Sequence, residues 1–132
     1  MSDTQRVIPA PGINPETVPF WKAASEQQLL VKKCNDCGEF HFYPRSICPF
    51  CFSDKTDWST SSGRGTIYSF SVMRRGVPVP YAIAYVELNE GPKIVTNIVN
   101  ADFDKIEVGQ PVRVVFQPSD SGQLVPMFEL DL

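Results

Sequence analysis

Between Thr17 and Gln28 the apolar residues Phe20, Trp21, Ala24 and then Leu29 recur at mostly helical spacings. Asn14 stands ahead of Pro15, Glu16 and Thr17, the pattern of an N-cap with proline at the first helical position and an acid in the first turn. Together these predict a helix over about 15–27. Pro19 falls in its opening turn, where a missing N–H is tolerated. Phe20 and Trp21 are large for a surface helix, and core packing is the favoured reading over a partner-binding face. Ahead of the helix, Pro9-Ala10-Pro11-Gly12 predicts an extended lead.

After Leu29 the period shortens. Leu29–Lys33 reads as one strand, and from Trp58 to Leu132 the pattern is all β. Thr66–Val72 is predicted to place Tyr68, Phe70 and Val72 on one face. Tyr81–Leu88 is a second strand, apolar on both faces, and Asn89-Glu90-Gly91-Pro92 is a turn into a third, Lys93–Val99. Val112–Gln117 alternates Val112, Val114 and Phe116, and Asp120-Ser121-Gly122 turns the chain into Leu124–Leu130. Asp102–Lys105 is read as one helical turn. Five short strands with a brief helix between the third and fourth is the order of an OB-fold barrel, with a generic small barrel as the alternative.

Between these regions lie all four cysteines: Cys34-Asn35-Asp36-Cys37, ten residues, then Cys48-Pro49-Phe50-Cys51. Each C-x-x-C turn aims two thiolates to one side, and two such turns complete a tetrahedral shell. Four thiolates leave no open position for water, so the pattern predicts a closed structural zinc site. A four-thiolate iron site of the rubredoxin kind uses nearly the same spacing. A dithiol redox site needs only one pair. Gly38 follows the first pair, where a small residue lets backbone amides turn back toward sulfur. Phe52 holds the matching place after the second and is expected to distort that knuckle. His41, the single histidine, has no paired carboxylate nearby in sequence and is assigned no role. The predicted units are residues 1–33 (lead and helix), 34–57 (rubredoxin-like zinc ribbon) and 58–132 (OB-fold), making a mainly β protein.

Composition narrows the functions. The chain is 42% hydrophobic with 12 prolines, enough apolar content for a core and biased toward turns and short strands. Twelve basic and 15 acidic residues give a net charge of −3, and four thiolates around a divalent ion make the protein two units more negative. That balance, with no dense basic stripe interleaved with aromatics, argues against a nucleic-acid reader, although zinc ribbons and OB-folds both serve that purpose. No stretch has the ~18–20 apolar residues of a spanning helix. The polar Met1–Ala10 segment has no apolar signal core, so a cytoplasmic, reducing location is expected, where paired cysteines bind metal. There is no nucleophile elbow, P-loop or dinucleotide fingerprint. The carboxylates Glu87, Glu90, Asp102 and Asp104 cluster around turns, as solvated charges usually do.

Helix, four-cysteine ribbon and OB-like strands together resemble the acyl-CoA-associated zinc-ribbon/OB-fold family, long known as a domain of unknown function. The resemblance runs from about Phe20 to Phe128. It rests on Tyr43-Pro44-Arg45 with the second cysteine pair, on Ser62-Gly63-Arg64-Gly65-Thr66-Ile67-Tyr68-Ser69, on Pro80–Leu88 with Glu90-Gly91, and on Gly109-Gln110-Pro111-Val112-Arg113-Val114. It implies a noncatalytic accessory subunit of a thiolase-superfamily enzyme (a thiolase, an acyltransferase or a steroid side-chain aldolase) acting on acyl-CoA thioesters. In some systems the partner is an enoyl-CoA hydratase. Cys34, Cys37, Cys48 and Cys51 carry over as metal ligands, and no catalytic residue carries over. The partner would supply the chemistry, in a hetero-oligomer. Direct contact with the nucleotide end of coenzyme A would require cations. Arg74 and Arg75 are the first candidates and Arg64 and Lys93 the next, against the plainer reading of a solvated arginine pair. A rubredoxin-like electron carrier remains the third alternative, one for which the barrel has no use.

Overall fold

The computed structural model describes residues 7–131. Met1–Arg6, part of the polar lead on which the signal-peptide expectation rests, and Leu132 lie outside the described residues.

Helix α1 spans Val18–Ser25, with Thr17 rather than Asn14 at its N-cap. Proline chemistry moves the start. A helix begun at Pro15 would need residue 19 to donate its N–H to the Pro15 carbonyl, and Pro19 has none. With Thr17 as cap, Pro19 sits in the first turn, where no donor is required, and Trp21 N–H makes the first helical bond to Thr17 O (3.1 Å). Asn14 closes a turn before the helix instead: Thr17 N–H donates to its carbonyl (2.9 Å) and Glu16 N–H to its Oδ1 (3.0 Å). Phe20, Trp21 and Ala24 are buried against the core, as expected.

Strand β1 (Leu30–Cys34) is the centre of a three-stranded antiparallel sheet, flanked by β2 (Phe40–His41) and β3 (Thr56–Thr60). The cysteine turns hang from this sheet. Its inner side, Val31 with Leu29, packs with α1 into the same apolar cluster as the barrel interior.

The barrel comprises β4 (Arg64–Met73), β5 (Tyr81–Leu88), β6 (Lys93–Ile98), β7 (Pro111–Pro118) and β8 (Leu124–Leu130). It closes in the order β4-β5-β6-β8-β7, the five-stranded OB arrangement. β7 returns to pair with the start of β4, and the β6–β8 contact is parallel and limited to Ile98 opposite Phe128. Ile67, Val86, Leu88, Ile94, Ile98, Val112 and Phe128 fill the interior. Gly65 belongs to this closure: a Cβ there would collide with the Glu87 carbonyl of β5, so only glycine fits.

β4 departs from its predicted alternation. Its register with β5 shifts between Ile67 and Ser69. The β-bulge flips the side-chain period, so Ile67 points inward before it and Phe70 and Val72 turn inward after it. Tyr68 is therefore outside, 55% exposed, and not on the Phe70 face. Asp102–Lys105 forms a single hydrogen-bonded turn (Lys105 N–H to Asp102 O, 2.9 Å) rather than a helix. Asp102 Oδ1 accepts from Asp104 N–H, the Asx geometry that competes with helix propagation. Both predicted strand turns form, with left-handed φ at Gly91 and Gly122. Among the described residues no helix is long and apolar enough to cross a membrane.

Candidate metal centre and the groove beside it

β1 delivers Cys34 at its last residue, and the turn after it brings Cys37 back beside it. Cys37 N–H points at Cys34 Sγ (3.5 Å), and Gly38 N–H bonds Cys34 O (2.9 Å) with φ +79°. The second turn repeats this. Phe50 N–H points at Cys48 Sγ (3.4 Å), and Phe52 N–H bonds Cys48 O (2.9 Å) with φ +64°. The knuckle bond is the same length in both, so Phe52 does not distort the second turn. It adopts the left-handed backbone that glycine would take and leaves its ring 80% exposed. The two turns are linked by Ser53 Oγ to Asp36 Oδ2 and, next to the first, by Asn35 Nδ2 to Asp57 Oδ2 (2.6 Å).

All four Sγ atoms lie within 4.8 Å of one another; Cys34–Cys51 is 3.5 Å and Cys37–Cys48 is 3.7 Å. A tetrahedron with metal–sulfur bonds of ~2.3 Å has sulfur–sulfur edges of about 3.8 Å. These thiols are therefore spaced to hold one metal ion, not paired in disulfides. Cys34 and Cys48 are buried and Cys37 and Cys51 exposed, so the site has a dry inner side and a wet outer side. Without a cation the thiols cannot all ionise. The Cys37 amide, with the neighbouring thiols, holds the Cys34 thiol down at about 7 against its burial. Despite the Ser53 amide, interaction with Cys34 and burial push Cys51 up to about 12. Cys37 is also raised, the Glu39 amide being outweighed by burial and the neighbouring sulfurs. A divalent ion removes that conflict, because each thiolate then faces positive charge.

His41, on β2, is 2% exposed, and neither ring nitrogen has a well-formed hydrogen bond among the described residues. Burial lowers its pKa, opposed only in part by the Arg45 backbone. It belongs to the floor of the ribbon and lies outside the four-sulfur cluster.

The cationic candidates do not converge. Arg74 and Arg75 follow β4, where Arg74 pairs with Asp104 (2.7 Å). Arg64 begins β4 at the opposite end, paired with Asp131. Lys93, at the start of β6, is on that same end, since it opposes Glu87 and Glu87 opposes Thr66. Its Nζ lies 4.7 Å from the Tyr68 ring centroid and 3.9 Å from Glu87. Ten residues of β4 separate the two ends.

Sequence reasoning missed a groove of about 410 Å³ between ribbon and barrel, bounded by Trp21, Phe42 and Tyr43 on one side and Tyr85, Val95 and Pro126 on the other. Phe20, Phe42 and Tyr43 pack edge-on or tilted along its wall. The Tyr43-Pro44 pair is only local in sequence, and nothing in it signals that β5, β6 and β8 lie opposite.

The comparisons with known proteins agree with this geometry. Residues 21–57 match the model described as ChsH2, rubredoxin-like zinc ribbon domain, and residues 58–117 match ChsH2, C-terminal OB-fold domain. A DUF35 domain-containing scaffold protein of Methanothermobacter thermautotrophicus is 38% identical over 77% of this chain and 82% of its own length. A probable enoyl-CoA hydratase alpha subunit of Thermomonospora curvata is 34% identical over 91% of this chain, which spans only 39% of that relative. The benzoylsuccinyl-CoA thiolase subunit BbsA of Geobacter metallireducens is 28% identical over 80% of this chain and 73% of the relative. Among solved structures, the Ltp2-ChsH2(DUF35) aldolase superposes with a TM-score of 0.81 at 32% identity, covering 93% of this chain and 100% of that one. With ribbon, barrel and both sequence matches in the same order along the chain, this protein belongs to the DUF35 family of zinc-ribbon/OB-fold proteins.

Proposed function

We propose that this chain is a noncatalytic accessory subunit of a thiolase-superfamily enzyme acting on acyl-CoA thioesters. Its role is to stabilise the complex and help shape the acyl-CoA site. The observation that carries the reading is the pairing of a closed four-sulfur centre with a fold shared, end to end, with the chain of a DUF35 aldolase. Four thiolates leave a metal no open position, so a metal here sets shape and does no chemistry. The relatives named as thiolase subunit and aldolase point to the partner class. A hydratase partner is the second reading, supported by the relative named as a hydratase alpha subunit. Purification of the chain from its native host tests this: a thiolase-fold chain should accompany it in fixed stoichiometry, identified by mass spectrometry. A hydratase in its place supports the second reading, and a chain that purifies alone overturns both.

Zinc is the metal we assign to Cys34, Cys37, Cys48 and Cys51, on the strength of the tetrathiolate donor set and the ribbon match. A colourless protein with one zinc per chain is expected; strong visible absorption with iron in elemental analysis contradicts the assignment. For the coenzyme, the exposed Arg74–Arg75 loop is the favoured contact, with Arg64 and Lys93 at the other barrel end as a separate possibility. Replacing Arg74 and Arg75 with alanine should weaken acyl-CoA binding by the assembled complex, and unchanged affinity removes them from the site.

A further inference from the structure

The barrel is not zipped along its whole circumference. Leu88 N–H donates to Pro92 O (2.9 Å) at the β5–β6 turn. Bonded pairs alternate along an antiparallel ladder, so Val86, Ala84 and Ala82 exchange main-chain bonds with Ile94, Thr96 and Ile98. The intervening residues of β6 turn their N–H and C=O the other way, toward β8. Val99, next in that series, shows the direction, for its N–H donates to Phe128 O (2.8 Å). Continuing that parallel ladder by one step would place the N–H of residue 126 on the Val95 carbonyl. Residue 126 is Pro126, which has no N–H, and no register pair follows Ile98–Phe128 among the described residues. Val95 thus turns both main-chain groups toward the stretch of seam where no register pair forms, crossed by the Thr96 Oγ1 bond to Pro126 O (3.4 Å).

That seam is the floor of the aromatic groove. The 410 Å³ groove at Trp21 and Tyr43 continues into a second of about 290 Å³, the two sharing Val95, Val125 and Pro126. The Ile98–Phe128 pair occupies Asn97, so the unpaired stretch runs from Lys93 to Val95, about 7 Å and the reach of two or three extended residues. Val95 is 58% exposed and Tyr85 49%, an apolar strand face left uncovered beside an open edge. Trp21 lines the same groove, and its buried Nε1 has no acceptor among the described residues. At one end stands Lys93, whose ion-pair partner among the described residues is Glu87 at 3.9 Å.

The geometry points to strand addition: one extended, apolar segment of the partner enzyme subunit docks along β6, hydrogen-bonded to the Val95 main chain and carrying an acidic residue at the Lys93 end. Main-chain donors and acceptors in a row select an extended peptide over a compact ligand. Lys93 gives the polarity, because a carboxylate there is attracted whereas a cation is repelled. The proposal rests on the accessory-subunit reading above and adds where and how the partner is held.

Amide hydrogen exchange on the full chain, free and in the complex with its copurified thiolase-fold subunit, tests it. In the free chain Ile94 and Thr96 should be protected and Val95 should exchange quickly; slow exchange of Val95 there means that another segment of this chain or a second copy already fills the seam, and overturns the proposal. On complex formation Val95 should slow by about a hundredfold or more. A complex that forms with Val95 still fast sinks strand addition while leaving the accessory reading intact, and the absence of any complex sinks both. Val95→Pro removes the outward N–H without touching the β5 ladder and should weaken association about tenfold, whereas Val95→Thr should not. Pro126→Val offers a competing N–H to the Val95 carbonyl and should weaken it as well. Equal affinity of all three variants contradicts the proposal.

Discussion

Between Cys34 and Asp57 the buried side chains are Cys34, His41, Pro44 and Cys48, and the ribbon's rings Phe50 and Phe52 stand in solvent. From Arg64 to Leu130 the barrel instead encloses Ile67, Val86, Leu88, Ile94, Ile98, Val112 and Phe128. One region is organised around four sulfurs that repel one another unless a cation lies between them. The other is organised around apolar surface removed from water, at roughly 25 cal/mol per Å². Shape in this chain therefore has two supports of different chemistry, joined through the apolar residues of α1 and β1 and through the Ser61–Ser62 link to Glu90.

The largest effect should follow from attacking the metal support alone. Chelation, or Cys48→Ser, removes a coupling on the order of 10 kcal/mol and should abolish amide protection in β1–β3. Protection in β4–β8 should survive, as resolved by hydrogen exchange; simultaneous loss in the barrel would show that the two supports are one. Phe128→Ala attacks the other support. Truncating this fully buried ring should cost about 3–5 kcal/mol in thermal or denaturant unfolding, while metal stoichiometry in the folded fraction stays at one.

A smaller effect is expected at the joint. Burial would raise the Glu90 carboxyl, but Ser62 N–H (2.8 Å) and the Ser61 hydroxyl (2.8 Å) outweigh it and hold its pKa below the ordinary range. A carboxylate depressed in the folded state stabilises above its unfolded pKa and loses that contribution as pH falls through the folded value. Stability should therefore decline on acidification below about pH 4.5, and Glu90→Gln should lower stability at pH 7 by about 1 kcal/mol while flattening that decline. The smallest change is a gain. Phe52→Gly relieves a left-handed residue and should stabilise the ribbon by about 1 kcal/mol, read as a higher metal affinity. No gain would mean that the exposed ring contributes contacts that the backbone angle hides.

Much of this was legible because chemistry sets local geometry at short range. The C-x-x-C spacing places two sulfurs on one side of a turn, and the apolar run Tyr81–Leu88, bounded by turn residues, marks a strand, although one of its two apolar faces is left exposed. Where the reading failed, a single residue altered the period. The bulge at Tyr68 inserts one position that period-two counting cannot anticipate, and Pro19 overrides the Asn14-Pro15 start signal because its missing donor matters only at a particular turn of the helix. Strand β3 carries Thr56, Asp57, Ser59 and Thr60 around Trp58, with no apolar alternation, since it is ordered by pairing with β1 rather than by a face of its own. The groove was invisible in sequence for a different reason. Trp21, Tyr43, Tyr85 and Pro126 are far apart along the chain and meet only when ribbon and barrel pack together.

The proposed division of labour gives holding to this subunit and chemistry to its partner. Steady-state turnover of an acyl-CoA thioester should be measured for the isolated chain, the isolated partner subunit and the reconstituted pair. Turnover by the pair, loss of it on removing this chain, and none by this chain alone is the predicted result. Turnover by the isolated metal-loaded chain, or a partner equally active without it, would contradict that division.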